Sequence, residues 1–306
     1  MNYLLRHLVK PWKLWLLVGW FVVIATLLLP PQWVLTRVLP PIACPGAVYA
    51  VQTTAKVVAL TIDDGPDLRV GAANSTEQIL NILQQHNQQH PEATAHATFF
   101  LIGNQVRARE QASQYPQDGL TARMIQEGHE VANHMMEDSA SILLEERFED
   151  VFWATHQRLL PYAELPESQY PAVQWLRPGV GWCDRAMSQA VATHASYRSE
   201  TGQPQIVLGS VWPYDTVQPW PQFSRWFVRH NVQPGSIIIL HDFGQRGDRT
   251  ATMLANMLQD LWREDYRVLP LSKLLSYGEP VKNAARLPGR LERLRRAIIL
   301  GLENLR

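Results

Sequence analysis

Short apolar runs separated by stretches of helical period recur along the chain, and this alternation constrains the fold more than any other feature. Residues 56–62 have the pattern of a buried strand, and residues 97–102, 129–132, 173–176, 205–211, 236–240 and 267–269 form further strand-like runs. Between them lie helical patterns at residues 75–86, 120–127 (closed by Gly128), 143–160, 184–195 and 250–262. Ser75 and Gln78 are spaced as a capping box. Alternation of this kind implies a parallel sheet covered by helices, because parallel neighbours require a crossover that a helix normally supplies. The 306 residues allow one large domain or two small ones, and 46% hydrophobic residues supply a sizeable core.

Charge excludes one class of partner. The 28 basic and 28 acidic residues cancel, and no basic excess points to nucleic acid. Two cysteines, Cys44 and Cys183, allow one disulfide without requiring it, and rule out a disulfide framework or a multi-cysteine zinc site. Residues 14–35 run for 22 positions without a charge, long enough to span a bilayer core. Arg6, Lys10 and Lys13 precede the run and only Arg37 follows closely, which puts residues 1–13 in the cytoplasm and the rest outside. Pro30 and Pro31 divide the run, so a cleaved signal stays open beside the favoured retained anchor. Residues 36–55 then read as a linker, 56–275 as the folded domain, and 276–306 as a tail. Within that tail, residues 282–306 carry seven basic and two acidic side chains, suited to an anionic surface or to a packed terminal helix.

Five polar groups each follow a strand-like run. Asp63 and Asp64 stand after residues 57–62 and before Gly65-Pro66; His134 and Asp138 follow Val131-Ala132; Arg177 follows residues 173–176; Asp215 follows residues 206–212; His241 follows residues 237–240. Taken singly, each has a plain structural reading: an Asp-Gly-Pro turn, a satisfied buried histidine, a helix N-cap. Together they occupy the C-terminal side of successive strands, where catalytic groups of β/α barrels gather. The four-residue spacing of His134 and Asp138 would put both on one face of a helical turn, close enough to share a metal.

The motif Thr61-Ile62-Asp63-Asp64-Gly65-Pro66 resembles the Thr-Phe-Asp-Asp-Gly-Pro signature of the polysaccharide deacetylases, the NodB-homology domain of carbohydrate esterase family 4. Thr98-Phe99-Phe100 with Gly103, Gly128-His129-Glu130, Asn133-His134 and Ile239-Leu240-His241 resemble later motifs of the family, in family order, from about Lys56 to Leu275. The resemblance implies an α/β fold of the distorted (β/α) barrel type, and a divalent metal, usually zinc, with manganese or cobalt as alternatives. It implies Asp64, His134 and Asp138 as metal ligands, Asp63 as general base held by Arg177, and His241 as general acid. It also implies Asp215 as part of the catalytic set and the backbone N–H near Val180 as an oxyanion donor. The sequence departs from the family where Asp138 replaces a histidine, which suits harder metals. Val180 follows Arg177-Pro178-Gly179 where an aromatic is usual, with Trp182 as a replacement wall. Only Asp215 remains of an Asp-Trp pair, with Trp212 and Trp220 nearby.

The expectation is therefore a membrane-anchored, extracytoplasmic deacetylase of an acetylated glycan such as peptidoglycan, an exopolysaccharide or chitin-like oligomers. A carbohydrate-binding protein that has lost turnover, and an amidohydrolase of a small non-sugar amide, are the alternatives.

Overall fold

The computed structural model describes residues 15–16, 18–20, 43–112, 119–198, 205–217 and 220–282. Most of the expected membrane segment 14–35 and nearly all of the basic tail lie outside them. Among the described residues no helix is long and apolar enough to cross a membrane.

The sheet is built around strand β2. The strands are β1 (Val48–Gln52), β2 (Val57–Gly65), β3 (Ala97–Leu101), β4 (Glu130–Asn133), β5 (Ile237–His241), β6 (Arg267–Leu269) and β7 (Glu279–Lys282). All nine residues of β2 are buried, as expected of a strand covered on both faces. It pairs in parallel with β3, β5 and β6, and β3 pairs in parallel with β4, giving the order β4-β3-β2-β5 with β6 against the start of β2.

Beyond β4 the wall continues only as single bridges. Asn133 pairs with Leu176, Leu176 with Ile206, and Val211 with Ile238 of β5, all parallel. The runs at 173–176 and 205–211, expected as strands, thus close the barrel without forming ladders. Gly209 shows how tightly they lie against β5: a Cβ there would sit 2.6 Å from the Ile239 side chain and 2.8 Å from the Ile237 carbonyl oxygen. The distorted barrel is therefore present, with its fourth and fifth staves, between β4 and β5, reduced to bridges.

The helices are α1 (Ser75–Gln89), α2 (Gly103–Ala112), α3 (Gly119–Gln126), α4 (Phe148–Ala163), α5 (Arg185–Thr193), α6 (Pro221–Asn231), α7 (Gly244–Arg263) and α8 (Leu271–Leu275). Helix α1 is capped by Asn74, whose side chain accepts from the Glu77 N–H at 2.9 Å. The expected Ser75–Gln78 box does not form, because the Ser75 hydroxyl is hydrogen-bonded to Asp67 and Asp242 instead. Helix α7 packs on α1 and α6, and α2 on α4. Strands β1 and β7 pair antiparallel in the segments expected to be linker and tail, so the folded body extends past residues 56–275 at both ends. Cys44 and Cys183 form a disulfide with Cα atoms 4.6 Å apart, joining the entry to β1 to the turn that follows Arg177.

Candidate active site

Parallel register decides which side chains meet. Asp63 of β2 is the partner of His241 of β5 on one side and of Phe100 of β3 on the other. The C-terminal ends of the strands therefore bring the candidate residues to one mouth. A cavity of about 360 Å³ there is lined by Asp63, Asp64, His134, Asp138, Arg177 and His241, among others.

The backbone leaves several of these strands through the left-handed region. Asp64 (φ 68°), Met135 (φ 65°), Val180 (φ 62°), Tyr214 (φ 61°) and Phe243 (φ 80°) are all non-glycine residues with positive φ. Such conformations cost of order 1–3 kcal/mol each and collect at functional sites. At Asp64 the consequence is direct, since the turn sends adjacent carboxylates in different directions. Gly179, outside that group, leaves no room for a side chain: a Cβ would stand 2.0 Å from the Ser139 carbonyl oxygen.

Asp63 is buried against the Arg177 guanidinium, whose Nη1 donates to Asp63 Oδ1 at 2.5 Å and to Thr61 Oγ1 at 2.8 Å. Arg177 Nη2 donates to the Leu208 carbonyl at 2.9 Å, and the guanidinium lies 4.1 Å from the Phe100 ring centroid. This arginine is held on several sides, so it fixes the carboxylate rather than following it.

Asp64 and His134 approach each other, with Asp64 Oδ1 3.3 Å from His134 Nε2. His134 Nδ1 donates to the Arg177 carbonyl at 2.7 Å, so the protonated ring points its Nε2–H at Asp64, and the neutral ring would present Nε2 there as an acceptor. Burial opposes ionisation of Asp64, but the His134 hydrogen bond and the charges of His241, His134 and Arg246 hold its carboxyl well below the usual range. Burial likewise opposes a charged His134, yet the Asp63 and Asp64 carboxylates raise its pKa.

His241 is gripped by Asp215. The Asp215 carboxylate accepts from the His241 backbone N–H at 2.7 Å and lies 3.1 Å from its Nδ1. Burial lowers the histidine's pKa, but Asp215 first, and then Asp64 and Asp63, push it up to about 9.

Asp138 lines the same cavity and is held by Arg246. Residues 136–139 form a bend rather than the helical turn that the four-residue spacing of His134 and Asp138 implies. Asp138 Oδ2 accepts from Arg246 Nη1 at 2.8 Å, and the same nitrogen donates to Asp64 Oδ2 at 2.6 Å. Arg246, from the first turns of α7, was not among the sequence candidates. Its only signal there is a basic residue five positions after His241.

The donors can be tested against the divalent metal that the resemblance implies. Two donors sharing a tetrahedral ion at about 2.0–2.1 Å lie roughly 3.3 Å apart, which matches Asp64 Oδ1 and His134 Nε2. The orientation of His134 by a backbone carbonyl fits as well. Among the described residues no group of three His, Cys, Asp or Glu side chains converges on a metal position. The site thus offers two well-placed donors and a third, Asp138, turned to Arg246. Val180 and Trp182 line the cavity on the side of Arg177, and Trp212 lines it on the side of Asp215, whereas Trp220 is exposed and not among the lining residues.

The sequence profile of the family described as polysaccharide deacetylase matches residues 50–194. A peptidoglycan-N-acetylglucosamine deacetylase of Bacillus cereus is 31% identical over 233 residues, covering 75% of this chain and 92% of the relative. The chain belongs to the polysaccharide deacetylase family. Deacetylases of this family are hydrolases of carbon–nitrogen bonds other than peptide bonds. A chitooligosaccharide deacetylase of Bradyrhizobium is 27% identical over 241 residues, covering 74% of this chain and 94% of the relative.

Solved structures agree on the fold. A peptidoglycan N-acetylglucosamine deacetylase bound to an N-oxidanyl-benzamide gives a TM-score of 0.59 at 24% identity, covering 83% of this chain and 99% of that one. A family 4 acetyl xylan esterase from Clostridium thermocellum, in complex with a cobalt ion, gives 0.57 at 23%, covering 72% and 91%. A family 4 pseudoenzyme from Bacillus anthracis gives 0.57 at 20%, covering 79% and 71%.

Proposed function

We propose that this chain is a metal-dependent deacetylase that hydrolyses N-acetyl groups, and in some substrates O-acetyl groups, on an extracytoplasmic glycan such as peptidoglycan, an exopolysaccharide or chitin-like oligomers. The observation that carries the reading is the register pairing of Asp63 with His241, each braced by its own buried partner, Arg177 and Asp215.

A divalent ion, zinc first and manganese or cobalt as alternatives, would be held by Asp64 and His134 with Asp138 as the third donor, supplying Lewis acidity to water and acyl carbonyl. Asp63 takes the proton of the water that adds to the acetyl carbonyl. Arg177 keeps that carboxylate in place beforehand through its charge-assisted hydrogen bond. The Val180 N–H, at a turn lining the cavity, offers a hydrogen bond to the developing oxyanion. His241, protonated below about pH 9, gives its proton to the departing amine as the C–N bond breaks, while Asp215 holds the ring in orientation. The products are acetate and a free sugar amine. Trp182 and Trp212 line the cavity and offer faces for sugar rings.

The outward location rests on two supports. The uncharged run at 14–35 with its basic N-terminal flank is one, and the Cys44–Cys183 disulfide, a bond that persists in oxidising compartments, is the other.

A second reading is favoured by the Arg246 contact: a glycan-binding protein whose carboxylates are neutralised by that arginine. The intact Asp63–Arg177 and His241–Asp215 pairs speak for turnover. Incubation of the full chain and zinc, manganese or cobalt with N-acetylated peptidoglycan fragments, chitooligosaccharides, acetylated xylan and small linear or cyclic amides separates the readings. Acetate release with new amine on a glycan supports the proposal. Glycan binding without acetate supports the second reading, and preference for a small amide over every glycan overturns both.

A further inference from the structure

The Arg246 guanidinium lines the cleft but has no role in the proposed reaction. Its Nη1 donates to Asp64 Oδ2 at 2.6 Å and to Asp138 Oδ2 at 2.8 Å, so one nitrogen spans the two carboxylates offered as metal donors. Both contacts are charge-assisted and short. The backbone behind it is fixed: Arg69 donates to the Gly244 carbonyl at 3.0 Å and pairs with Asp248 in the first turns of α7. The side chain itself is about a third exposed at the cavity mouth, so it is free to leave without moving the helix.

We infer that Arg246 competes with a divalent cation for the Asp64 and Asp138 carboxylates, and so sets the metal affinity of this site. The inference rests on the deacetylase reading of Asp64, His134 and Asp138 as the metal-binding set. First, a divalent ion and a guanidinium seek the same oxygen lone pairs, and Asp138 Oδ2 cannot serve both from one direction. Second, even if Asp64 gave only Oδ1 to the ion and kept Oδ2 on Arg246, a positive charge hydrogen-bonded to the ligand would repel the ion and weaken the donor. Third, aspartate in place of a neutral imidazole at position 138 adds a third carboxylate beside Asp63 and Asp64. Arg246 supplies the compensating charge, which makes Asp138 and Arg246 a matched pair. The outcome is a site that a divalent ion enters by displacing a tethered cation, with weaker binding than its donors alone would give.

The test is the dissociation constant for zinc and for manganese, measured by competition with a chromophoric chelator on the full chain and on Arg246→Gln, Arg246→Met, Arg246→Lys and Asp64→Asn variants. Removing the charge in Arg246→Gln or Arg246→Met is expected to tighten binding by roughly 10- to 100-fold, the range typical of changes beside metal ligands. Arg246→Lys should stay near the unmodified chain, and Asp64→Asn should lose the ion. Added guanidinium at non-denaturing concentration should weaken binding again in an Arg246→Ala variant. In an Asp138→His background the gain from Arg246→Gln should shrink, because the matched carboxylate is gone. Unchanged or weaker affinity in both neutral variants, with folding verified by circular dichroism, overturns the role of Arg246 while leaving the metal site standing. Absence of binding by every form at saturating zinc and manganese overturns the metal-site reading itself, and this inference with it.

Discussion

Asp63 and His241 stand on adjacent strands in register, and each is braced by a buried partner, Arg177 and Asp215 respectively. In the proposed reaction Asp63→Asn removes the general base, and kcat should fall by about 10²- to 10⁴-fold. The same change leaves the Arg177 charge buried without its carboxylate, so urea unfolding should show a loss of about 3 kcal/mol. Asp215 acts through His241 and should move a different observable. Its carboxylate stabilises the imidazolium, so Asp215→Asn should shift the alkaline limb of kcat/KM, expected near pH 9 in the unmodified chain, to lower pH. An unmoved limb would mean that His241 is not the group that titrates. These residues were legible in the sequence because each follows an apolar run, which fixes its place at a strand end. Arg246 was not, because its partners Asp64 and Asp138 lie 182 and 108 positions away and nothing local marks it.

The elements that support the site were legible in proportion to their apolar content. Strand β2 and strand β5 are continuous apolar runs and appear where expected. Helix α2 was missed because only Gly103 and Val106 are buried in it, too few for a periodic signal. The staves at Leu176 and Ile206 read as strands but form single bridges, since Pro178 follows closely on one and Gly209 interrupts the other. His129, just before β4, shows what burial imposes on such an element. Its Nδ1 accepts from the Ala97 N–H at 3.2 Å, and burial, with the charges of His96 and Arg123, depresses its pKa to about 3. The unfolded chain binds this proton below about pH 6.5 and the folded chain does not, so the stabilising term is complete above that pH and is lost as pH falls toward 3. Between pH 6.5 and 5 the loss is about 2 kcal/mol, at about 1.4 kcal/mol per unit. Urea unfolding of the unmodified chain and of His129→Gln at pH 7 and pH 5 should differ in acid sensitivity by that amount, and equal sensitivity would remove His129 as a cause.

The Cys44–Cys183 disulfide spans 139 positions and acts on the molecule as a whole, joining the chain entering β1 to the turn carrying Trp182. Crosslinking of this kind typically adds 2–4 kcal/mol. Reduction, or Cys183→Ser, should therefore lower the thermal midpoint clearly, and an unchanged midpoint would mean that the bond adds little. Membrane attachment through residues 14–35 and an outward-facing domain remain proposals of the same scheme, checked by alkaline extraction of membranes and by protease accessibility in intact cells. We propose that the Asp63–Arg177 and His241–Asp215 pairs flank one hydrolytic centre. The measurement that meets it most directly is acetate release from N-acetylated glycan oligomers by the metal-loaded full chain beside its Asp63→Asn variant. Metal-dependent release is expected, abolished by a chelator and reduced at least about 100-fold in the variant. Equal release by both proteins, or none with any metal or glycan although the glycan binds, would contradict it.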